Sequence, residues 1–269
     1  MSANEVFHKS KDEGMRIINI LWTGGLDSTC RVAELSRQPI IIQPYYILDN
    51  DRKSIDKELT SIRRITSAIK SDKSTKCQLN DIITIEKSSI PKNEKITKAY
   101  LILKEKYSLG SQYDWLARFA SDKNILLEMG LEKNPTGKAF LTITGECTLV
   151  EEKFDGIEEF RIDLQKSSDE AIAIFKNLRF PSRLWETDKV GEVELMKSLG
   201  LGHLILLTWF CHRPVLGMTC GHCNPCKDAL NEGMAWRVSK LGYVLGTIRH
   251  YTFDIAMSIL GKIRNSMTS

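Results

Sequence analysis

The stretch Ile17-Ile18-Asn19-Ile20-Leu21-Trp22-Thr23-Gly24-Gly25-Leu26-Asp27-Ser28-Thr29 constrains the fold of this chain more than any other. An apolar, β-branched run with no charge after Arg16 suits a strand buried on both faces of a parallel sheet. Two glycines then let the backbone turn sharply and approach a ligand closely. Asp27, Ser28 and Thr29 open a helix, whose first N–H groups have no partner within the helix and form an anion site. Strand, glycine turn and helix start together predict a phosphate cradle. Spacing excludes two other phosphate motifs: there is no G-x-x-x-x-G-K-[ST], and no G-x-G-x-x-G near this strand.

The rest of the chain predicts alternating strands and helices. Strands are expected at 17–22, at 40–48 with an interruption at Gln43-Pro44, at 81–86, at 139–144 (Ala-Phe-Leu-Thr-Ile-Thr) and at 204–209. Helices are expected at 26–36, 55–70, 94–107, 111–129, 168–178, from Thr187-Asp188 to Leu199, at 225–240 and at 244–264. The acidic segment 150–164 alternates poorly and reads as an excursion. The pattern predicts an α/β, doubly wound parallel sheet, Rossmann-like, with helices on both faces. Three parts are expected: a polar extension over 1–15, an α/β domain over 16–186, and a small helical, metal-binding region over 187–269. The 269 residues suffice for that arrangement.

Four of the seven cysteines crowd into Cys211-x8-Cys220-x2-Cys223-x2-Cys226. Two overlapping C-x-x-C steps put three thiols on one tight turn, and Cys211 returns across a loop. A closed, tetrahedral, structural Zn²⁺ site fits this best. A C-x-x-C redox pair and an iron–sulfur cluster are the alternatives. His212 and His222 could replace a thiolate, but His222 lies inside a C-x-x-C step and reads as a neighbour rather than a ligand. Clustering of this kind belongs to a reducing compartment. Residues 1–14 lack the apolar core of a signal peptide, and no run reaches the roughly 18 apolar residues of a membrane span. A cytoplasmic protein without a membrane partner is expected. The net charge of +4 is mild and the charges are interspersed, which does not favour a nucleic-acid partner.

Thr23-Gly24-Gly25-Leu26-Asp27-Ser28 resembles the S-G-G-x-D-S loop of the N-type ATP pyrophosphatases, with threonine in the place of the first serine. Joined to the cysteine cluster, it is similar to 7-cyano-7-deazaguanine synthase, the queuosine-pathway branch of that adenine nucleotide α-hydrolase-like superfamily. Thr187-Asp188-Lys189-Val190-Gly191-Glu192-Val193 resembles that family's T-K-x-x-I-V segment, and Leu207-Thr208-Trp209-Phe210-Cys211 its L-T-W-S-C. The resemblance covers about 17–59 and 180–236.

It implies ATP and Mg²⁺ as well as Zn²⁺. ATP would lie on Trp22, Thr23, Gly24, Gly25, Leu26, Asp27, Ser28 and Thr29, with its adenine near Tyr46 and Ile47. Arg52 would meet phosphate or substrate carboxylate, although Asp49 or Glu58 could equally hold it. Asp27 and Lys189 would be the catalytic pair, with Lys189 stabilising the leaving pyrophosphate. A carboxylate like that of 7-carboxy-7-deazaguanine would be adenylated and then converted with ammonia or an amine to an amide or nitrile. A homodimer is the expected assembly.

The middle of the chain departs from the family. Its D-Y-G-Q-R stretch is here Asp49-Asn50-Asp51-Arg52-Lys53, and its substrate loop D-x-S-G-Y-P-D-C is replaced by Gly145-Glu146-Cys147-Thr148-Leu149-Val150. Gln112, Trp115, Arg118 and Glu146 are the residues left to recognise a substrate, and a macromolecular acceptor such as a protein fits so rewritten a pocket. Relatives of this synthase in antiphage gene clusters agree with that. Two other functions compete: a tRNA-modifying pyrophosphatase, which needs a basic stripe, and a silent nucleotide-sensing module, which has no need of Asp27, Ser28 and Lys189.

Overall fold

A computed structural model describes residues 15–154 and 156–252. The expected extension at 1–15 and the end of the last expected helix lie almost wholly outside them. The strands are β1 (Ile17–Leu21), β2 (Ile41–Leu48), β3 (Gln78–Leu79), β4 (Ile83–Glu86), β5 (Leu127–Met129), β6 (Leu149–Phe154), β7 (Ile157–Ile162) and β8 (Leu178–Pro181). The helices are α1 (Leu26–Leu35), α2 (Ile55–Ser71), α3 (Glu94–Tyr107), α4 (Gln112–Lys123), α5 (Lys138–Glu146), α6 (Asp169–Phe175), α7 (Ser182–Trp185), α8 (Lys189–Ser198) and α9 (Asn224–Asn231). A further helix, α10, covers 240–252.

One sheet organises them, in the order β3-β2-β1-β5-β8-β7-β6, with β4 also paired to β2. All pairs from β3 and β4 to β8 are parallel. β7 and β6 add an antiparallel edge, so the sheet is mixed and not wholly parallel as expected. β1 is central: the chain leaves it for β2 on one side and returns to its other side as β5. That reversal opens a crevice beyond the carboxyl ends of β1 and β5, where open α/β sheets bind ligands.

Both faces of the sheet are buried. On one, Ile18, Ile20, Trp22 and Ile42 pack with Cys30, Ile62, Ile65, Met196 and Leu204. On the other, Ile47, Leu127 and Met129 pack with Leu103, Leu116, Phe119, Phe175 and Phe180. Residues from α8, the 3-10 segment Gly202–Leu207 and α9 share the first of these cores with β1. No helix among the described residues is long and apolar enough to cross a membrane.

Several elements differ from the sequence expectation, for local reasons. Pro44 does not interrupt β2; the break falls in its neighbour, split into β3 and β4 where Pro44 offers no N–H. Gln43 spans the gap, donating to Asp81 O (3.2 Å) and accepting from Asn80 Nδ2 (3.0 Å). The helix expected over 111–129 stops at Lys123. Asn124 takes the left-handed cap conformation (φ 50°), and Leu127-Glu128-Met129 fill the slot between β1 and β8. Residues 139–144, expected as a strand, lie in α5. Thr142 and Thr144 turn their hydroxyls back onto Lys138 O (2.7 Å) and Phe140 O (2.9 Å), which accommodates β-branched side chains in a helix. The segment 150–164 is the β6–β7 hairpin, turning at Gly156 with φ 78°. The helix expected over 168–178 ends at Phe175 and gives way to β8. Residues 204–209 are 3-10 helix and coil rather than a strand. The helix expected over 225–240 ends at Asn231, before Gly233 (φ 76°), and α10 already begins at 240.

Candidate functional site

The glycine turn sits at the mouth of the β1–β5 crevice. Gly24 has φ 72°, and a Cβ there would meet Glu58 O at 2.9 Å, so only glycine fits. Gly25 precedes α1, and no side chain caps that helix start. The first N–H groups of α1 are thus left for a ligand. Ser28 Oγ is buried beside them and has no hydrogen-bond partner among the described residues. A buried hydroxyl left without a partner is costly, and an anion in the cradle would satisfy it. Trp22 lies beneath the turn and donates from Nε1 to Thr29 Oγ1 (3.1 Å). From the other side Gly130, just past β5, lets the backbones touch: a Cβ there would lie 2.7 Å from Ser28 N.

Lys189 opens α8, whose start is capped by Asp188 accepting from Gly191 N (2.9 Å). Its ammonium pairs with Asp27, with Glu132 (3.0 Å) and with Glu192 (3.5 Å). Burial alone would lower its pKa, but Asp27, Glu192 and Glu132 outweigh that and hold it charged. Burial and the Asp27 charge push Glu132 up to about 7 and Glu192 well above the usual carboxylate range. Both oxygens of Glu192 lack hydrogen-bond donors, although the residue is fully buried.

Around this cluster lies a cavity of about 390 Å³. Thr23, Gly25, Leu26, Asp27, Ser28, Ile47, Arg52 and Lys189 line it, as expected of a ligand-binding loop and its partners. Gln112 and Trp115 line it too. Five carboxylates (Asp27, Glu58, Glu132, Asp228 and Glu232) face three cations (Arg52, Lys189 and Arg237). An anionic ligand fits such walls only together with a cation, and the surplus oxygens around Lys189 suit a hard divalent ion.

Other sequence candidates stand elsewhere. Arg52 sits 3.2 Å from Glu58, which also accepts from Tyr46 Oη (2.7 Å) and Ser54 Oγ (2.6 Å); Asp49 pairs instead with Lys87 (2.9 Å). Tyr46 therefore buries its ring under the sheet and leaves only its backbone for a ligand. Arg118 is not on the cavity wall: it grips Asp114 (2.9 Å) and donates to Ile90 O and Pro91 O. Glu146 ends α5 away from the cavity, accepting from Lys106 (2.6 Å) and Tyr107 (2.8 Å). Glu146 lost its expected place because 139–144 folds as a helix, and Arg118 because Asp114 and two carbonyls hold it. Sequence reading missed Glu132, Glu192 and Arg237. Glu192 was within reach of pattern, one helical turn beyond Lys189. Glu132 was hidden because the strand that aims it was read as helix.

The four cysteines converge. One ligand sulfur from each of Cys211, Cys220, Cys223 and Cys226 lies within 4.8 Å of the others, so the set can hold a metal ion such as zinc. Cys220 N donates to Cys211 Sγ (3.2 Å), and His222 N and Cys223 N to Cys220 Sγ (3.5 and 3.4 Å), contacts that favour thiolates. His222 is no ligand: its Nε2 meets Thr247 Oγ1 (2.7 Å) and its ring stacks on Tyr243. A second cavity beside the cluster is lined by Lys53, Arg213 and Arg249 as well as Cys220 and Cys223. A zinc tetrathiolate carries two net negative charges, and these cations offset them. The two sites are tied together, since Trp209 N donates to Gly24 O (2.8 Å) two residues before Cys211.

Neither a scan against protein-family models nor a search of curated proteins finds a match to this chain.

Proposed function

We propose that the chain is an ATP-dependent carbon–nitrogen ligase that splits ATP between its α- and β-phosphates. The uncapped start of α1 carries the reading: its N–H groups, orphaned Ser28 Oγ and Lys189 meet behind Gly24-Gly25 at the sheet's reversal point. The β- and γ-phosphates sit on that cradle, and the adenine lies along the β2 backbone at Ile47. Asp27 and Glu132 would supply oxygens for Mg²⁺, which when bound would offset phosphate charge, and buried Glu192 holds Lys189 behind them.

The reaction follows from the chain's own groups. A substrate carboxylate oxygen attacks the α-phosphorus, and the bond to the bridging oxygen of the β-phosphate breaks. The helix N–H groups and Lys189 stabilise the charge gathering on pyrophosphate. Ammonia or an amine then attacks the acyl carbon, AMP leaves, and an amide forms. The proton released from the attacking nitrogen passes to solvent. Gln112 and Trp115 face the space left for the substrate, a carboxylated deazapurine or a related carboxylate borne on a protein. The tetrathiolate zinc is structural and braces Trp209 against Gly24.

The test is pyrophosphate release by zinc-loaded protein with Mg²⁺-ATP, ammonia and a panel of carboxylates that includes 7-carboxy-7-deazaguanine. Release should depend on one carboxylate and vanish in Asp27→Ala. Full release in that variant would remove the loop from the mechanism.

A further inference from the structure

Arg237 stands apart from the other two cations of the cavity. Lys189 is matched by three carboxylates and Arg52 by Glu58. Arg237 has no carboxylate within ion-pair distance among the described residues. Its guanidinium donates to Thr208 Oγ1 and lies 4.5 Å from the centre of the Phe210 ring. Burial lowers its pKa to about 10, against the opposing pull of Asp27 and Glu192. It stays charged at neutral pH, partly buried and without a counter-ion. Such a group is expensive unless an anion completes it.

Its setting says which anion. Thr208 precedes Trp209, whose N–H holds Gly24 O, so Arg237 is braced against the glycine turn itself. The stack on Phe210 fixes the guanidinium plane, and one bond to Thr208 leaves most of the fork for two phosphate oxygens. Arg237 also follows α9, which carries Cys226, in the sequence.

We infer that Arg237 is a pyrophosphate-binding residue, contributed by the metal-binding region and closing the cradle opposite the start of α1. The inference rests on the nucleotide reading above.

Calorimetric titration of zinc-loaded protein with inorganic pyrophosphate and Mg²⁺ tests it. Wild-type protein should bind, Arg237→Ala should bind at least about tenfold more weakly, and Arg237→Lys should recover part of the loss because it restores charge without the fork. Zinc content and melting temperature check that each variant is folded, and Arg237→Gln, which keeps a polar side chain of intermediate length, replaces Arg237→Ala if that variant is not. The KM for the carboxylate substrate should stay within twofold. Pyrophosphate affinity within twofold of wild type in a folded variant overturns the inference and leaves the nucleotide reading standing. A rise in carboxylate KM with unchanged pyrophosphate binding also overturns it. Wild-type protein that does not bind pyrophosphate defeats the nucleotide reading, and the inference with it.

Discussion

Two charge networks flank α1, one on Arg31 and one on Asp27, a helical turn apart. Arg31 donates to both oxygens of Glu128 (2.8 Å each) and to Glu34 (2.8 Å), and Glu159 lies between Arg16 (3.1 Å) and Arg179 (3.7 Å). Counting Arg183, 3.8 Å from Glu34, four arginines there meet three glutamates, and Arg31, Glu128 and Glu159 are buried. One turn earlier Asp27, Glu132 and Glu192 meet a single Lys189, and the cluster opens on a cavity. The first network has an arginine for each carboxylate. The second has more carboxylate than cation. Carboxylates matched by cations mark structure here, and a surplus beside a cavity marks a candidate site.

Breaking each network separates them most sharply. Asp27→Asn should cut pyrophosphate release by about 10³-fold or more. It should leave the melting temperature unchanged or higher, since Lys189 keeps two carboxylates. Arg31→Met should do the reverse: a buried Glu128 stripped of its partner costs about 3–5 kcal/mol of stability in urea unfolding. Turnover by the protein that remains folded should be intact. Equal loss of stability in the two variants would erase the distinction.

Adding cation should favour only the open network. Mg²⁺ at a hundred times its Kd stabilises a folded protein by ~2.7 kcal/mol, and a thermal shift of that order should fall in Glu132→Gln. Arg31→Met should keep the same increment. If Mg²⁺ gives no shift in wild-type protein, the surplus carboxylates do not form a cation site.

The last effect concerns pH. Burial, and then the adjacent charge of Glu128, push Glu159 up to about 7 from an ordinary value of 4.5. Between those values the folded protein holds a proton that the unfolded chain has released, so stability falls as pH rises from 4.5 to 7. The loss is at most ~3 kcal/mol over that range. Glu159→Gln should flatten that slope. Glu128, held below its ordinary value against its burial by Arg31, acts in the opposite sense in more acid solution. An unchanged slope in Glu159→Gln would show that its proton is not the one released.

What the sequence made legible follows the range of the interactions. Gly24-Gly25, the start of α1, Lys189 and the cysteine spacing are written within a few residues, and the structure puts the loop and Lys189 in one cavity and the thiols in one cluster. The short strand β5 was not legible, because Leu127-Glu128-Met129 continues the apolar spacing of α4 and only Asn124 marks the break. With β5 went Glu132 and the reversal of strand order that places the site. The run at 139–144 has a strand's composition and folds as a helix, since β5 and β8 already occupy that side of the sheet. Arg237 was hidden for another reason. Its meaning lies in the carboxylate it lacks, and only three dimensions show that.

The most direct test of the central claim is the identity of the nucleotide products. Zinc-loaded protein given Mg²⁺-ATP, ammonia and its carboxylate substrate should yield AMP and pyrophosphate in equal amounts, and none in Asp27→Asn. ADP and inorganic phosphate as the products, or AMP formation that survives loss of Asp27, would contradict it.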